Sequence, residues 1–344
     1  MATDNQKKRI LFVCQYFYPE VFRGNDIAFH WAEEGHEVHV VTGVPNYPDG
    51  VFHKGYGVFK KRQETIKGVH VTHLQIVPRG NDSKIMLMLN YFSYFIVACM
   101  YVLWKVFADS FKGFLGFKKS FEFDFVFCQQ LSPVMMSLPA VLYKKLKKVL
   151  LYTWVLDLWP ESLSAAGGIS NKHILGFFDW FVKKEYKWSD KILTSSKSFD
   201  QSIRTYGDYK GKIVYYPQWS DGSPSTPFLP PNYSLPEILS GFKVMFAGAV
   251  GEAQGMECNM QATLLTKERK DIKWVIVGDG RRLPWVQQFV KEHGLEETVL
   301  TLGRYPSETM PLFFEKADVM LVSLTDSPLF NLYAPAKISS YMAS

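Results

Sequence analysis

The stretch Lys243-Val-Met-Phe-Ala-Gly-Ala-Val-Gly-Glu-Ala-Gln-Gly255, with its echo Lys273-Trp-Val-Ile-Val-Gly-Asp-Gly280, decides the fold. In both places a short apolar run stops at a glycine-rich turn. Neither run alternates polar with apolar, as a strand with one wet face would. Both are apolar on both faces, which a strand needs when helices cover the two sides of a parallel sheet. The turns then read as strand-to-helix connections whose glycines permit close backbone approach.

Working outward, the same pattern recurs along the chain. Strands are expected at 9–15, 37–42, 69–76, 124–128, 149–155, 191–194 and 212–216, then at 243–247, 273–277, 299–302 and 319–323. Amphipathic stretches separate them, so the fold class is α/β with parallel sheets. The interval 219–240 holds five prolines and reads as a linker. It divides a Rossmann-like domain at 1–218 from a second at 241–344. With 344 residues, two domains are the natural expectation. The second reads as incomplete: a doubly wound six-stranded sheet takes roughly 150 residues, and the chain stops at Ser344 inside an expected helix.

Composition narrows the classes further. A hydrophobic fraction of 47% excludes a disordered chain. Cys14, Cys99, Cys128 and Cys258 stand apart, so neither a disulfide framework nor a metal site is expected, and the compartment reads as reducing, cytoplasmic. Lys7, Lys8 and Arg9 before an apolar run imitate a signal peptide, but the run is too short and lacks a cleavage site. Residues 51–150 carry 15 basic against 5 acidic side chains. Such a bias favours an anionic partner, and without an RNA-binding aromatic motif a membrane surface is preferred over nucleic acid. The uncharged stretch 86–104 is a helix that lies against one leaflet, packs in a core, or spans. Asn90, Ser93, Tyr94, Tyr101 and Lys105 form a loose polar stripe along it. An aromatic and basic segment follows at 111–119, so residues 84–119 are expected to rest on the membrane.

Candidate chemistry sits in loops beyond strand carboxyl ends, where open α/β sheets bind ligands. After the first strand, Asn25 or Asp26 can cap a helix, and Arg23 either clamps an anion there or is solvated. Asn46 and Tyr47 follow the second strand in a loop rich in proline and glycine. The stretch Trp154-Val-Leu-Asp-Leu-Trp-Pro-Glu-Ser162 delivers Asp157 to a strand tip, with Trp159 and Glu161 beyond it. A carboxylate there can orient a sugar hydroxyl while an indole stacks on the ring; alternatively Asp157 caps a helix and Glu161 pairs with a lysine. Lys337 follows Pro335 at a helix start, where a cation can stabilise a departing diphosphate. Glu122 and Asp124 read as part of an alternating strand. The chain contains no HExxH, GxSxG or GxGxxG motif.

In order, QYFYPE (15–20), FRGND (22–26), GHEVHVVTGVPNYPDG (35–50), WVLDLWPES (154–162), YPQWSD (216–221), GEAQ (251–254), VGDGR (277–281), GRYP (303–306) and PLFNLYAPAKISSYMAS (328–344) resemble family 4 glycosyltransferases of the GT-B fold. The resemblance is to the L-fucosamine transferase-like subgroup of bacterial O-antigen and capsule assembly. It implies two Rossmann-like domains facing across a cleft, and transfer with retained configuration without metal or cofactor. The donor, a nucleotide-diphosphate sugar, would be held by Gly248, Gly251, Glu252, Gln254, Gly278, Asp279, Gly280, Arg304, Asn331 and Ser340. The acceptor, a polyprenyl-diphosphate-linked saccharide at the inner membrane face, would meet Arg23, Asn25, Asn46, Tyr47 and Trp159. Asp157, Glu161 and Lys337 would serve the reaction. The family's diphosphate-contacting Arg and Lys fall at Ala249 and Gln254, and its ribose-binding glutamate near Ser340; Glu252, Gln254 and Lys337 would substitute. Family members continue past this end with a Gly-Lys-Pro turn, a strand and a helix returning to the first domain. Two other readings remain, a non-catalytic fragment binding donor or membrane and a GT-B epimerase or hydrolase.

Overall fold

The computed structural model describes residues 6–80, 83–165, 171–220, 229–231, 233–238 and 240–344. Two compact units divide the chain, Met1–Pro217 and Gln218–Ser344. The described residues of the proline-rich interval 219–240 belong to the second unit; 221–228, 232 and 239 lie outside the described residues.

The first unit contains strands β1 (Arg9–Val13), β2 (Glu37–Gly43), β3 (Gln63–Ile66), β4 (Val69–Leu74), β5 (Phe125–Gln130), β6 (Leu150–Val155), β7 (Lys191–Thr194) and β8 (Ile213–Tyr215). They form one sheet in the order β3-β4-β2-β1-β5-β6-β7-β8. Every neighbouring pair is parallel except β3 with β4. Helices α1 (Arg23–Glu33), α2 (Lys84–Phe114), α3 (Leu138–Lys147), α4 (Glu161–Ala165), α5 (Lys172–Trp188) and α6 (Phe199–Arg204) make the connections. The core is built from both-face apolar strands, as Leu11, Val13, Val126, Cys128 and Leu151 are fully buried together. Strand β3 was not expected, because Gln63-Glu-Thr-Ile66 is polar and half exposed at the sheet edge. Its signal is the turn that follows: Lys67 and Gly68 both have positive φ, as a two-residue hairpin of type I′ requires. Glu122 and Asp124 precede β5 instead of extending it. The Asp124 carboxylate accepts from the Arg9 amide at 2.6 Å, and Glu122 pairs with Lys119 at 3.1 Å.

Helix α2 inverts the expected pattern. Asn90, Tyr94, Ala98, Val102 and Asp109, spaced on one face, turn inward. The Tyr94 hydroxyl donates to the Cys14 carbonyl at 2.9 Å, and the Asp109 carboxylate accepts from the Ser120 amide at 2.6 Å. Large apolar side chains face outward, including Ile96, Met100, Trp104, Phe107 and Phe111. The helix is long and apolar enough to cross a membrane by length and composition. Yet its polar stripe bonds into the unit, which suits a helix packed along a surface.

The second unit holds β9 (Phe242–Ala247), β10 (Ile272–Val277), β11 (Val299–Gly303) and β12 (Val319–Met320), in the order β11-β10-β9-β12 and all parallel. Its helices are α7 (Met256–Leu265), α8 (Leu283–Glu292), α9 (Met310–Phe314) and α10 (Ala336–Met342). Pro335 is the N-cap of α10, and the helix ends two residues before Ser344. Phe246, Ile276, Val286 and Val290 pack one face of the sheet, and Met245, Val275 and Phe313 the other.

Glu185 on α5 is fully buried against the short 3₁₀ turn Val134–Ser137. Burial pushes its carboxyl up to about 8, from an ordinary value of 4.5, and neither of its oxygens has a hydrogen-bond partner among the described residues. Between those values the folded chain keeps a proton that the unfolded chain releases, so stability falls as pH rises. Glu185→Gln is therefore expected to stabilise the protein at pH 8, on the order of a few kcal/mol, and to change little at pH 5. Urea unfolding at both pH values checks this, and an identical pH dependence in the two proteins would refute it.

Candidate functional site

In the first unit the chain leaves β1 in one direction through β2 to β4, and β5 to β8 build in the other. The crevice beyond the carboxyl ends of β1 and β5 is thus the switch point, where such sheets bind ligands. Buried polar atoms collect there. Gln15 Oε1, Asn25 Oδ1 and both amide atoms of Gln129 lack a hydrogen-bond partner among the described residues. A Cβ on Gly24 would come 2.0 Å from Gln129 Oε1, so the glycine lets the Gln129 side chain lie against the start of α1. Unsatisfied groups of this kind are rare in interiors and mark places where a polar ligand is met.

Asp157 stands on the loop after β6. The Ser132 hydroxyl donates to its Oδ2, and the Trp159 indole donates to the same atom at 3.2 Å and to Ser132 Oγ at 3.0 Å. Trp159 is only 6% exposed, its ring edge-on to Phe178 at 5.0 Å. It orients Asp157 and offers no face to a sugar, which corrects the stacking role expected from the sequence. Trp154 is likewise buried, donating to the Tyr216 carbonyl at 3.1 Å. Glu161 faces elsewhere: its Oε1 accepts from Ser202 at 3.1 Å and Tyr206 at 3.3 Å, and burial raises its carboxyl above the ordinary range. Asp157 and Glu161 therefore have different partners despite their spacing.

The N-cap of α1 is Phe22, not Asn25 or Asp26, which lie within the first turn. Asn25 instead donates from Nδ2 to the Glu20 carbonyl at 2.6 Å. Arg23 is largely buried, 4.0 Å from Asp26, and burial lowers its pKa. The residue that organises this end is Glu20, which the sequence reading passed over inside QYFYPE. Its carboxylate accepts from the amides of Asn46 and Tyr47, each at 2.7 Å, and from Phe17 at 3.2 Å, tying the loops after β1 and β2 together. Burial pushes that carboxyl up to about 7. Asn46 is buried too, and its Oδ1 accepts from the Arg79 amide at 2.8 Å. It braces the loop where the sequence suggested a cleft-facing group. Tyr47 packs its ring against Tyr16 and Phe22, at 5.7 and 5.3 Å.

In the second unit the switch point falls between β9 and β12. The two glycine turns meet each other: the Gly248 amide donates to Val277 and the Val250 amide to Asp279, both at 2.9 Å. A Cβ on Gly278 would lie 1.9 Å from the Gly248 carbonyl, and one on Gly280 would lie 2.4 Å from that of Val250. Those two glycines thus let the two turns meet backbone to backbone. Asp279 accepts from the Gly280 amide at 2.7 Å. The amides of Ala249 and Gly251 make no such bond among the described residues. The loop after β12 clamps the next turn, with Ser323 donating to the Gln254 carbonyl and Thr325 to that of Glu252, both at 2.7 Å.

Lys337, on the first turn of α10, reaches the same place. Its ammonium donates to Gln254 Oε1 at 3.2 Å and lies 3.8 Å from the centre of the Phe246 ring. A Cβ on Gly248 would be 3.3 Å from Lys337 Nζ, so the cation rests directly on the glycine turn. Burial lowers its pKa to about 8. No carboxylate lies within 4 Å of it among the described residues. Tyr341 fixes the helix, exchanging bonds with the backbone of Ala247 at 2.6 and 3.0 Å. Lys337, Gly248, Gly251 and Gln254 thus form one cluster, and Ser340 lies one turn along the same helix. Glu252 turns toward Arg282, 3.7 Å away. Arg304, after β11, and Asn331, in the turn Phe330–Leu332, are exposed.

Compared with known proteins, residues 241–344 match the family described as "Glycosyl transferases group 1". Among solved structures, Anabaena HepE in complex with UDP-glucose is similar at a TM-score of 0.59 with 11% identity, covering 97% of this chain and 78% of that one. The catalytic domain of starch synthase IV from Arabidopsis thaliana, bound to ADP and acarbose, is similar at 0.56 with 12% identity, covering 97% and 81%. No match was found among curated proteins. The fold defines the class, the GT-B fold that these structures share. More narrowly, the segment that carries Lys337 matches the glycosyl transferases group 1 model.

Proposed function

We propose that this chain transfers a sugar, with retained configuration, from a nucleotide-diphosphate donor to a polyprenyl-diphosphate-linked saccharide. It does so at the cytoplasmic face of the membrane, in surface polysaccharide assembly of the L-fucosamine transferase-like kind. The observation that carries the reading is the Lys337 ammonium, half buried on the Gly248 turn in the segment that matches glycosyl transferases group 1, with no carboxylate within 4 Å among the described residues. Such a cation suits the diphosphate that departs as the glycosidic bond to the donor breaks. The acceptor oxygen would attack on the same face, and its proton would pass to the leaving phosphate oxygen. Asp157, held by Ser132 and Trp159, would orient the acceptor hydroxyl. The exposed apolar face of α2, with Lys105 and Lys112 beside it, supports contact with an anionic membrane.

Equilibrium binding of UDP-, GDP- and dTDP-sugars tests the donor half. One class should bind, and Lys337→Ala should weaken it; absence of binding by all three would overturn the reading. For the membrane half, the protein is expected to float with phosphatidylglycerol vesicles. Replacing Trp104, Phe107 and Phe111 together by Ser should leave it in the soluble fraction, with nucleotide-sugar binding unchanged. Equal flotation of both proteins would refute a role for that face.

A further inference from the structure

We propose that Arg79, with the hydroxyls of Tyr16 and Tyr91, forms a binding site for the diphosphate of a membrane-anchored acceptor. The inference rests on the transfer reading above and assigns a part of the acceptor that the reading leaves without a contact. Arg79 follows β4, just ahead of α2. Its guanidinium donates to the Tyr16 hydroxyl at 3.2 Å and lies 5.3 Å from the centre of the Tyr47 ring and 6.0 Å from that of Tyr91. An arginine in such a place normally pairs with a carboxylate. Among the described residues none lies within 4 Å of it. The carboxylate close enough to act on it, Glu20, is already engaged by three backbone amides.

A half-buried planar cation ringed by aromatic faces and tyrosine hydroxyls, with no carboxylate within 4 Å among the described residues, fits a phosphoryl group. Its placement selects the source. The site opens at the start of α2, whose apolar face is exposed along its length, so the lipid chain of an acceptor lying along α2 would bring its diphosphate to Arg79. The backbone there does not depend on the guanidinium, since the Arg79 amide is held by Asn46.

The test compares farnesyl diphosphate, farnesol and inorganic diphosphate by calorimetric titration of the full chain and its Arg79→Gln and Arg79→Lys variants. The wild type should bind farnesyl diphosphate at least tenfold more tightly than farnesol or inorganic diphosphate. Arg79→Gln should bring farnesyl diphosphate to the level of farnesol, and Arg79→Lys should keep part of the preference. A nucleotide-sugar titration and a melting curve check folding; should Arg79→Gln not fold, Tyr16→Phe must reduce the preference instead. An unchanged preference in a folded Arg79→Gln protein would overturn the site. So would equal affinity for inorganic diphosphate, or a loss confined to phosphatidylglycerol vesicles, which would mark a headgroup contact. Arg79-dependent binding without any sugar transfer would remove the transfer reading and leave the site. Transfer without an Arg79-dependent preference would remove the site alone.

Discussion

Lys337→Ala is expected to lower transfer by roughly 10²- to 10³-fold, the usual effect of removing one preorganised donor from a developing anion. The loss should appear mainly in kcat. Negative charge on the diphosphate grows as the bond to the sugar breaks, so the cation is worth more in the transition state than in the bound donor. The residue's setting makes a second, independent demand. Its ammonium is half buried on the Phe246 ring with an amide oxygen as its polar partner, and burial lowers its pKa to about 8. As pH rises through that value the free protein loses the cation. The alkaline limb of kcat/KM should therefore fall near pH 8, and Lys337→Arg should move that limb upward, because a guanidinium keeps its charge. A pH profile measured on wild type and Lys337→Arg checks both. Identical alkaline limbs would show that another group titrates.

Asp157→Asn should lower kcat/KM for the acceptor by at least about 10²-fold, in the range of positioned acid–base and orienting groups. Donor affinity and thermal stability should change little. The amide keeps the shape that Ser132 and Trp159 hold, so the substitution removes charge without opening a cavity. The proposed donor-binding residues belong to the other compact unit. Steady-state kinetics with separately varied donor and acceptor distinguish the outcomes, and a loss shared equally by both substrates would contradict an acceptor role. Glu161→Gln is expected to be milder, since Glu161 bonds to Ser202 of α6 and to Tyr206 just beyond it, away from the Ser132 and Trp159 that hold Asp157.

Much of the sheet was legible because parallel strands advertise themselves by burial on both faces. Arg9–Val13, Leu150–Val155 and Ile272–Val277 fall within or beside the runs read from sequence. Gln63–Ile66 escaped because an exposed edge strand carries no such pattern, and its only mark was the Lys67-Gly68 turn. The cluster of Lys337 with the Gly248 turn was legible in parts, from a glycine turn after a strand and a lysine after a helix-starting proline. Its closeness was not, because it depends on Tyr341 binding the backbone of Ala247, ninety-four residues away in sequence. The stacking role given to Trp159 failed for a related reason. Sequence places an aromatic residue at a strand tip but does not say that Phe178, from α5, covers its ring. Glu20 and Arg79 were passed over because each is a single charge in a loop, and only burial reveals what it holds.

The most direct test of the account is product mass. The purified chain, with native membrane, is incubated with a polyprenyl-diphosphate disaccharide and a panel of UDP-, GDP- and dTDP-sugars. The account predicts that one donor adds one sugar residue to the lipid-linked acceptor and that Lys337→Ala slows appearance of the shift by roughly 10²-fold or more. Release of free sugar without a lipid-linked product, or a shift appearing at the same rate from wild type and Lys337→Ala, would contradict it.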